Sequence, residues 1–199
     1  MLRGLYFNSQ HTAPRYLTVE EIATACRLSV RKVENLVVEG ILRPTRDTRK
    51  LIDVSDVLWF LVRNKMPVAT SLLPPKTGRI LFIAAEDGTL HEKEETFDRI
   101  CSLFAEHHNL VLAESTSLDR AAHLSILTFS PNVVVIFAGQ RDFDFGGIRE
   151  ILAGVPGLKT ILIGKGPAAT LHPLQVDLAV GEEISPEKLS WQLNAFFSN

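Results

Sequence analysis

Three side chains suited to nucleic-acid binding lie close together in the sequence, at Arg31, Lys32 and Asn35. Arg and Lys bind guanine edges or phosphates, whereas Asn recognises the edge of adenine. Positions 31 and 35 are about one helical turn apart and share a helix face. The spacing predicts a helix that contacts double-stranded DNA, although an ordinary solvated helix face would explain the same residues.

A basic segment follows and lies between apolar Leu42 and the apolar pair Leu51-Ile52. Its cationic residues are Arg43, Arg46, Arg49 and Lys50. Two apolar stretches on either side of a short polar one are typical of a hairpin, and cations in such a hairpin suit contacts to phosphate. We therefore predict a basic wing beside the helix, and Ser29 at the start of the helix is included among the predicted DNA contacts.

The elements that must position these residues have clear start and stop signals. Thr18 followed by Glu21 has the spacing of a capping box, which predicts a helix that runs to about Cys26. Ser29 can cap a second helix, in which Val30, Val33, Leu36 and Val37 share the apolar side. Gly40 suits the end of this helix, since glycine tolerates a positive φ.

Two further elements complete the N-terminal part. Ile41 and Leu42 are predicted to begin a strand. Asp53 or Ser55 can cap a third helix over residues 54–64, whose apolar residues, Trp59 included, are expected to support the other two helices.

Charge divides the 199-residue chain at a Pro-rich segment. Residues 1–75 carry a net charge of +4 and residues 76–199 a net charge of −6, although the whole chain is only −2. The positive half is the one expected to meet a polyanion. We predict a flexible arm over residues 1–15, a DNA-binding module over 16–70, a linker over 71–78 and a second domain over 79–199.

Composition excludes several classes of protein. With 46% hydrophobic and 22% charged residues the chain can bury a core. Its apolar runs are shorter than the roughly 20 residues of a membrane helix, and its N-terminus lacks the features of a secretion signal. The two cysteines, Cys26 and Cys101, have no metal-ligand spacing. We expect a cytoplasmic protein with reduced thiols and with neither a metal nor a cofactor.

The segments 17–44 (LTVEEIATACRLSVRKVENLVVEGILRP) and 49–64 (RKLIDVSDVLWFLVRN) together resemble the winged helix-turn-helix domain shared by excisionases and MerR-type regulators. The resemblance covers about 50 residues and departs in the wing, where Asp47-Thr48 replaces the frequent glycine. It implies binding to double-stranded DNA by the second helix and the wing, as one module among several.

The second half alternates apolar runs of strand length with helical patterns. The runs lie at residues 79–85, 110–113, 133–137, 160–163 and 178–180. Such alternation predicts a parallel sheet in an α/β domain, with five strands in the flavodoxin-like order 2-1-3-4-5. Only residues 164–175, which contain two prolines, separate the last two strands, so the fourth crossover is expected to be short.

The segments RILFIAAED, SPNVVVIFAGQRDFDFGGIREI and TILIGKG resemble a response-regulator receiver domain. In that family an acidic pair binds Mg²⁺ and an Asp accepts phosphate, and a hydroxyl and a Lys assist them. Here these four functions align with Ala84-Ala85, Phe137, Gly164 and Gly181 or Glu182. The resemblance implies a pseudo-receiver that cannot be phosphorylated at Phe137; a displaced acidic site stays open at Glu86, Asp87, Asp142 and Asp144.

Three functions remain from the sequence alone. The first is a DNA-binding regulator, of transcription or recombination, whose pseudo-receiver forms a homodimer or binds another protein. The second is a signalling adaptor in which both domains bind proteins or a small ligand. The third, an enzyme that uses the crevice of the sheet, is disfavoured because the strand ends at Ala84-Ala85 and Phe137 carry no catalytic groups.

Overall fold

The computed structural model describes residues 3–8, 15–45, 51–64, 66–84, 94–117, 120–138, 152, 154–164, 176–181 and 183–198. In these ranges no helix has both the length and the apolar character to cross a bilayer.

Two short helices joined by a tight turn follow the predicted signals. Helix α1 (Val19–Cys26) begins with a complete capping box, in which the Glu21 amide donates to Thr18 Oγ1 and the Thr18 amide to Glu21 Oε2. Helix α2 (Val30–Val38) begins at Ser29. Gly40 has φ +72°, and the Ile41 amide donates to the Leu36 carbonyl, as expected where a helix ends in a left-handed residue.

The remaining N-terminal elements hold these helices in place. A two-residue strand, β2 (Tyr16–Leu17), pairs antiparallel with β3 (Ile52–Asp53). Helix α3 (Val54–Arg63) follows, and its cap is Asp53 rather than Ser55, because the Asp53 carboxylate accepts from the Ser55 amide at 2.8 Å.

The prediction that Ile41 and Leu42 begin a strand is wrong. Both amides donate to the Leu36 carbonyl and so belong to the end of α2. The β-bridge forms two residues later, between Pro44 and Ile52.

A six-stranded sheet forms the centre of the second half. Its strands are β1 (Arg3–Phe7), β4 (Thr77–Ala84), β5 (Leu110–Ser117), β6 (Val133–Phe137), β7 (Lys159–Gly164) and β8 (Leu178–Gly181). The order is β1-β5-β4-β6-β7-β8, with β1 antiparallel and the others parallel. It differs from the predicted five-stranded sheet because β1 is added at the β5 edge. The other five follow a flavodoxin-like path, in which the first strand lies between the second and the third.

The flexible arm predicted over residues 1–15 is wrong at β1. Arg3–Phe7 pairs residue by residue with Leu110–Glu114, and Leu5 is buried. An open strand edge offers unpaired amides and carbonyls, and the N-terminal strand satisfies them.

The predicted linker over residues 71–78 is also an ordered part of the structure. A 3₁₀ turn covers Thr70–Leu72, Leu72 is 1% exposed, and β4 already begins at Thr77. The N-terminal helices therefore pack directly on the sheet and are not connected to it by a flexible linker.

Helices cover both faces of the sheet. Helices α4 (Glu94–Glu106) and α6 (Pro186–Ser198) pack on the face formed by Ile80, Phe82 and Val135. Helix α5 (Arg120–Phe129) packs on the other face, against Leu81 and Ile83. The predicted short fourth crossover, residues 164–175, lies outside the described residues except for Gly164, the last residue of β7.

A shared hydrophobic cluster joins the two halves of the chain. It combines Leu5 of β1 and Leu110 and Leu112 of β5 with the cores of α1, α2 and α3. The three helices thus occupy the sheet face next to α5, at the edge where β1 closes the sheet.

Candidate nucleic-acid interface

Helix α2 has one buried and one exposed side. Val33 and Leu36 are 0% and 3% exposed and belong to the cluster shared with the sheet. Arg31, Lys32 and Asn35 are all exposed. Their side chains occupy the first two turns of the helix, where a recognition helix carries its base-contacting residues.

Ser29 has a structural role in this arrangement. Its hydroxyl oxygen accepts a hydrogen bond from the Lys32 amide at 3.2 Å and caps α2. A cap of this kind fixes the first turn and therefore positions the backbone of Arg31 and Lys32.

The turn between α1 and α2 is equally well defined. Arg27 adopts φ +55°, a left-handed conformation, and the Leu28 amide donates to the Ala23 carbonyl at 2.9 Å. Ile22 and Ala23 on α1 are buried in the same cluster as Val33. The second helix is consequently held rigidly against the first.

The base of the predicted wing is described, and its tip is not. The Thr45 amide donates to the Leu51 carbonyl at 2.8 Å, next to the bridge between Pro44 and Ile52, and Arg43 is exposed. Arg46, Arg49 and Lys50 lie outside the described residues. The described residues on the two sides of the predicted wing are therefore paired at its base.

Two apolar residues that the helical periodicity assigns to the core are exposed. Val30 is 41% exposed at the first position of α2, and Trp59 is 48% exposed on α3. Val38, at the last position of α2, is 86% exposed. Helical periodicity identifies an apolar face, but residues at the helix ends and at the margin of that face can still reach solvent.

The carboxyl edge of the parallel sheet is packed with apolar side chains. Ala84 and Phe137, which end β4 and β6, are both 0% exposed. The Phe97 ring of α4 lies 5.2 Å from the Phe137 ring and 4.0 Å from the Phe82 ring, measured between centroids. The position aligned with the phosphoacceptor is therefore part of the core.

Acidic groups that could replace the missing ones fall outside what is described. Glu86, Asp87, Asp142 and Asp144 all lie outside the described residues, as does Ala85 of the aligned pair. Gly164 and Gly181 end β7 and β8. Within the described ranges no three His, Cys, Asp or Glu side chains gather as a metal site.

A hydrogen bond joins β1 to helix α4, on the face of the sheet away from the N-terminal helices. The Tyr6 hydroxyl donates to Asp98 Oδ1 of α4 at 2.6 Å. Burial raises the pKa of Tyr6, and the adjacent Cys101 and Asp98 raise it further, so the phenol stays protonated and remains a donor. Burial also raises the pKa of the Cys101 thiol, which excludes a reactive thiolate there.

A cavity of about 260 Å³ lies where the N-terminal helices meet the sheet. Its walls include Val62 and Met66 from the helical part and Arg79, Glu114 and Phe129 from the α/β part. It is distinct from the carboxyl edge, where α/β sheets usually bind their ligands.

Comparison with known proteins gives similarity at the level of structure alone. No protein-family model and no curated protein sequence matches the chain. A response-regulator receiver domain from Bermanella marisrubri is 16% identical, with a TM-score of 0.45, and the match covers 61% of this chain and 98% of that one.

Two further solved structures are similar to the same degree. The receiver domain of a DNA-binding response regulator from Colwellia psychrerythraea is 14% identical, with a TM-score of 0.46 and coverage of 61% and 99%. A pilus assembly protein from Caulobacter crescentus is 16% identical, with a TM-score of 0.40 and coverage of 59% and 92%.

Proposed function

We propose that this protein is a cytoplasmic DNA-binding regulator, of transcription or recombination, whose winged helix-turn-helix is docked on a receiver-like domain that does not accept phosphate. The observation that carries the proposal is helix α2. It follows a tight turn, buries Val33 and Leu36, and exposes Arg31, Lys32 and Asn35. The resemblance of residues 17–64 to excisionase and MerR-type domains supports the same interpretation.

Each basic element has a separate task in this proposal. Helix α2 enters the major groove, where Arg31 and Lys32 bind guanine edges or phosphates and Asn35 binds adenine. The wing cations, Arg43, Arg46, Arg49 and Lys50, bind phosphates and position the helix without reading sequence. Ser29 acts through the α2 cap.

Salt-dependent binding to duplex DNA tests these assignments. We expect replacement of the four wing cations by Gln to weaken binding to all sequences alike. The slope of log K against log salt should fall by about 0.9 for each phosphate that the variant no longer neutralises. Asn35→Ala should instead reduce the preference for one base, measured by selecting bound sequences from random duplex DNA.

A matched control is Lys188→Gln, which removes an exposed cation from α6 on the other half of the chain. This variant should bind DNA like the wild type. Unchanged DNA affinity in the fourfold wing variant would contradict the wing assignment, and absence of any salt-dependent DNA binding would leave the signalling adaptor as the function.

The α/β half is proposed to pair with a second copy of the chain. One winged module buries only about 600–1,000 Å² on DNA, which is marginal for specific binding, and a dimer presents two modules. The sequence predicts a short fourth crossover around Leu171, Pro173 and Leu174, and such a crossover would leave apolar surface on the neighbouring strands and helix edges for this pairing. These three residues lie outside the described residues.

Sedimentation of the full-length chain at micromolar concentration, alone and on DNA, tests the pairing. The full chain is required because Leu5, Leu110 and Leu112 share one core with the N-terminal helices. We expect a dimer in at least one of the two conditions. A monomer in both would point instead to another protein as the partner of this half.

A further inference from the structure

A second and larger cleft lies at the amino ends of strands β4 and β6, at the edge of the sheet opposite to the apolar carboxyl edge. Thr77, the first residue of β4, and Asn132, which directly precedes β6, line it from the α/β half. Arg15 and Thr70 line it from the N-terminal half. The cleft therefore lies where the two halves of the chain meet, and its volume is about 610 Å³.

Two guanidinium groups line this cleft, those of Arg15 and Arg79. Arg15 Nη1 donates to the Ser71 carbonyl at 2.9 Å, and Arg79 Nη1 donates to the Phe129 carbonyl at 3.0 Å. Among the described residues neither guanidinium pairs with a carboxylate, and neither Asp nor Glu lines the cleft. Two positive charges without a counter-charge favour an anion as the ligand.

The polar groups of the cleft still offer hydrogen-bond donors. A guanidinium carries five N–H donors, and each bond to a carbonyl uses one of them. Asn132 accepts the Arg79 amide at Oδ1 with a distance of 2.8 Å, which leaves its Nδ2 group as a further donor. Phosphate oxygens accept such hydrogen bonds, and a guanidinium binds two of these oxygens at once.

One wall of the cleft is apolar and consists of Leu73, Pro74 and Pro75. Hydrogen bonds fix the backbone of this wall, because Thr77 Oγ1 donates to the Pro74 carbonyl at 2.6 Å and Asn109 Nδ2 donates to the Pro75 carbonyl at 2.8 Å. A fixed apolar wall next to a few polar groups is the usual composition of a small-molecule site. The wall is suited to an organic ring and is of no use to a bare inorganic anion.

We propose that this cleft binds a nucleoside diphosphate. Arg15 and Arg79 bind the phosphate groups, Asn132 Nδ2 donates to a phosphate or ribose oxygen, and the wall over residues 73–75 holds the base. The volume of about 610 Å³ lies within the roughly 300–1,000 Å³ that is typical of small-molecule sites.

Such a ligand contacts both halves of the chain at once. Arg15 is tied to the start of α3, because the Val54 amide donates to the Arg15 carbonyl at 2.9 Å, whereas Arg79 and Asn132 belong to the sheet and its loops. A ligand that binds only the docked arrangement of the halves stabilises that arrangement by mass action. A small molecule can therefore control how firmly the N-terminal helices are held on the sheet.

Calorimetric titration of the full-length protein, without DNA, tests the site. The probes are ADP, GDP, CDP and UDP, together with the four nucleosides, which lack the charge, and pyrophosphate, which lacks the base. EDTA is present throughout, since the described lining has no carboxylate to hold Mg²⁺. We expect saturable 1:1 binding of at least one diphosphate, and at least tenfold weaker binding of its nucleoside and of pyrophosphate.

Variants separate the site from the general stability of the fold. Arg15→Gln and Arg79→Gln should each weaken binding at least tenfold. Thr70→Glu, which adds a negative charge at an exposed position of the lining, should weaken it at least fivefold more than Thr70→Gln. Arg99→Gln is the matched control and should bind like the wild type, since Arg99 is a half-buried arginine that donates to Ser190 Oγ on the opposite face of the sheet.

Thermal melting without ligand identifies any variant that fails to fold. If Arg79→Gln is such a variant, Arg15→Gln and the Thr70 pair still test the site, because Arg15 and Thr70 are exposed.

Three results would overturn the proposal: no saturable binding of the four diphosphates at millimolar concentration, equal affinity for a diphosphate and for its nucleoside or pyrophosphate, or wild-type affinity in folded Arg15→Gln. If no diphosphate binds and Arg15→Gln instead weakens binding to duplex DNA, the cleft belongs to the DNA interface and the proposal is equally wrong. Because DNA is absent from the titrations, a failure of DNA binding leaves their outcome unaffected.

Discussion

Helix α2 and the carboxyl edge of the parallel sheet are the two places where the sequence suggested chemistry, and their side chains are arranged in opposite ways. On α2 the polar residues Arg31, Lys32 and Asn35 are exposed on a well-capped helix. At the sheet edge Ala84 and Phe137 are fully buried. Strands pair through backbone hydrogen bonds, so a parallel sheet can form whether the side chains at its carboxyl edge are polar or, as in this protein, apolar.

The two places should therefore differ in what a substitution changes. Removing an exposed α2 side chain should weaken DNA binding and leave the fold almost intact, since surface substitutions usually alter the free energy of unfolding by less than about 0.5 kcal/mol. A substitution at the sheet edge should lower the free energy of unfolding and remove no DNA contact. Substitutions at three places test how sharp this division is.

The largest effect is expected at the sheet edge, for Phe137→Asp. The substitution places a carboxylate among the Phe82 and Phe97 rings and leaves a cavity. It should lower the free energy of unfolding by about 4 kcal/mol or more, measured by urea denaturation.

Phe137→Leu is the control and should cost about 1–2 kcal/mol. A stable Phe137→Asp protein that takes up phosphate from acetyl phosphate would contradict the comparison, since the sheet edge would then tolerate a carboxylate and support phosphoryl transfer to it. Intact mass spectrometry detects that product.

An intermediate effect is expected where the two regions meet, for Leu5→Ala. Leu5 is 5% exposed in the cluster shared by the N-terminal helices and the sheet. The substitution should lower the free energy of unfolding by about 2–4 kcal/mol. Urea denaturation followed at several wavelengths should show one transition for both halves.

Tyr6→Phe gives a second measure at the same strand. It removes the hydrogen bond to the Asp98 carboxylate and should cost about 1.5–3 kcal/mol. If neither substitution shifts the denaturation midpoint, β1 contributes nothing to stability, and the two regions are independent.

The smallest effect is expected at the end of α2, for Gly40→Ala. Gly40 has φ +72°, and no other side chain or backbone atom lies within 4 Å of the position that a Cβ would take, so the cost comes from backbone strain alone, about 1 kcal/mol. Gly181→Ala, at a glycine that also has open space but no positive φ, is the matched control and should be neutral within about 0.5 kcal/mol. Equal midpoints for the two variants would show that α2 does not need this left-handed end.

Local signals in the sequence determined most of the helix boundaries. The capping residues Thr18, Ser29 and Asp53 and the left-handed Gly40 act through hydrogen bonds and dihedral angles within a few residues of themselves. Such interactions can be recognised in a short stretch of chain. The exposed side of α2 followed from the same helical periodicity.

Strand ends are harder to predict than strand centres. The apolar run that predicts β5 covers residues 110–113, but the strand continues through Glu114, Ser115 and Thr116 to Ser117. These polar residues are in the strand because they pair with Leu81, Phe82 and Ile83 of β4. A polar residue next to an apolar run is a sign of a strand end only when no neighbouring strand extends beside it.

Only the tertiary structure decided how the two halves fit together. The N-terminal strand pairs with residues more than 100 positions away, as Leu5 does with Leu112, and Leu72 of the expected linker is buried against the same core. Each of these segments is too short to fold by itself. Its conformation is set by an open sheet edge and an uncovered apolar surface, which exist only after the distant parts of the chain have come together.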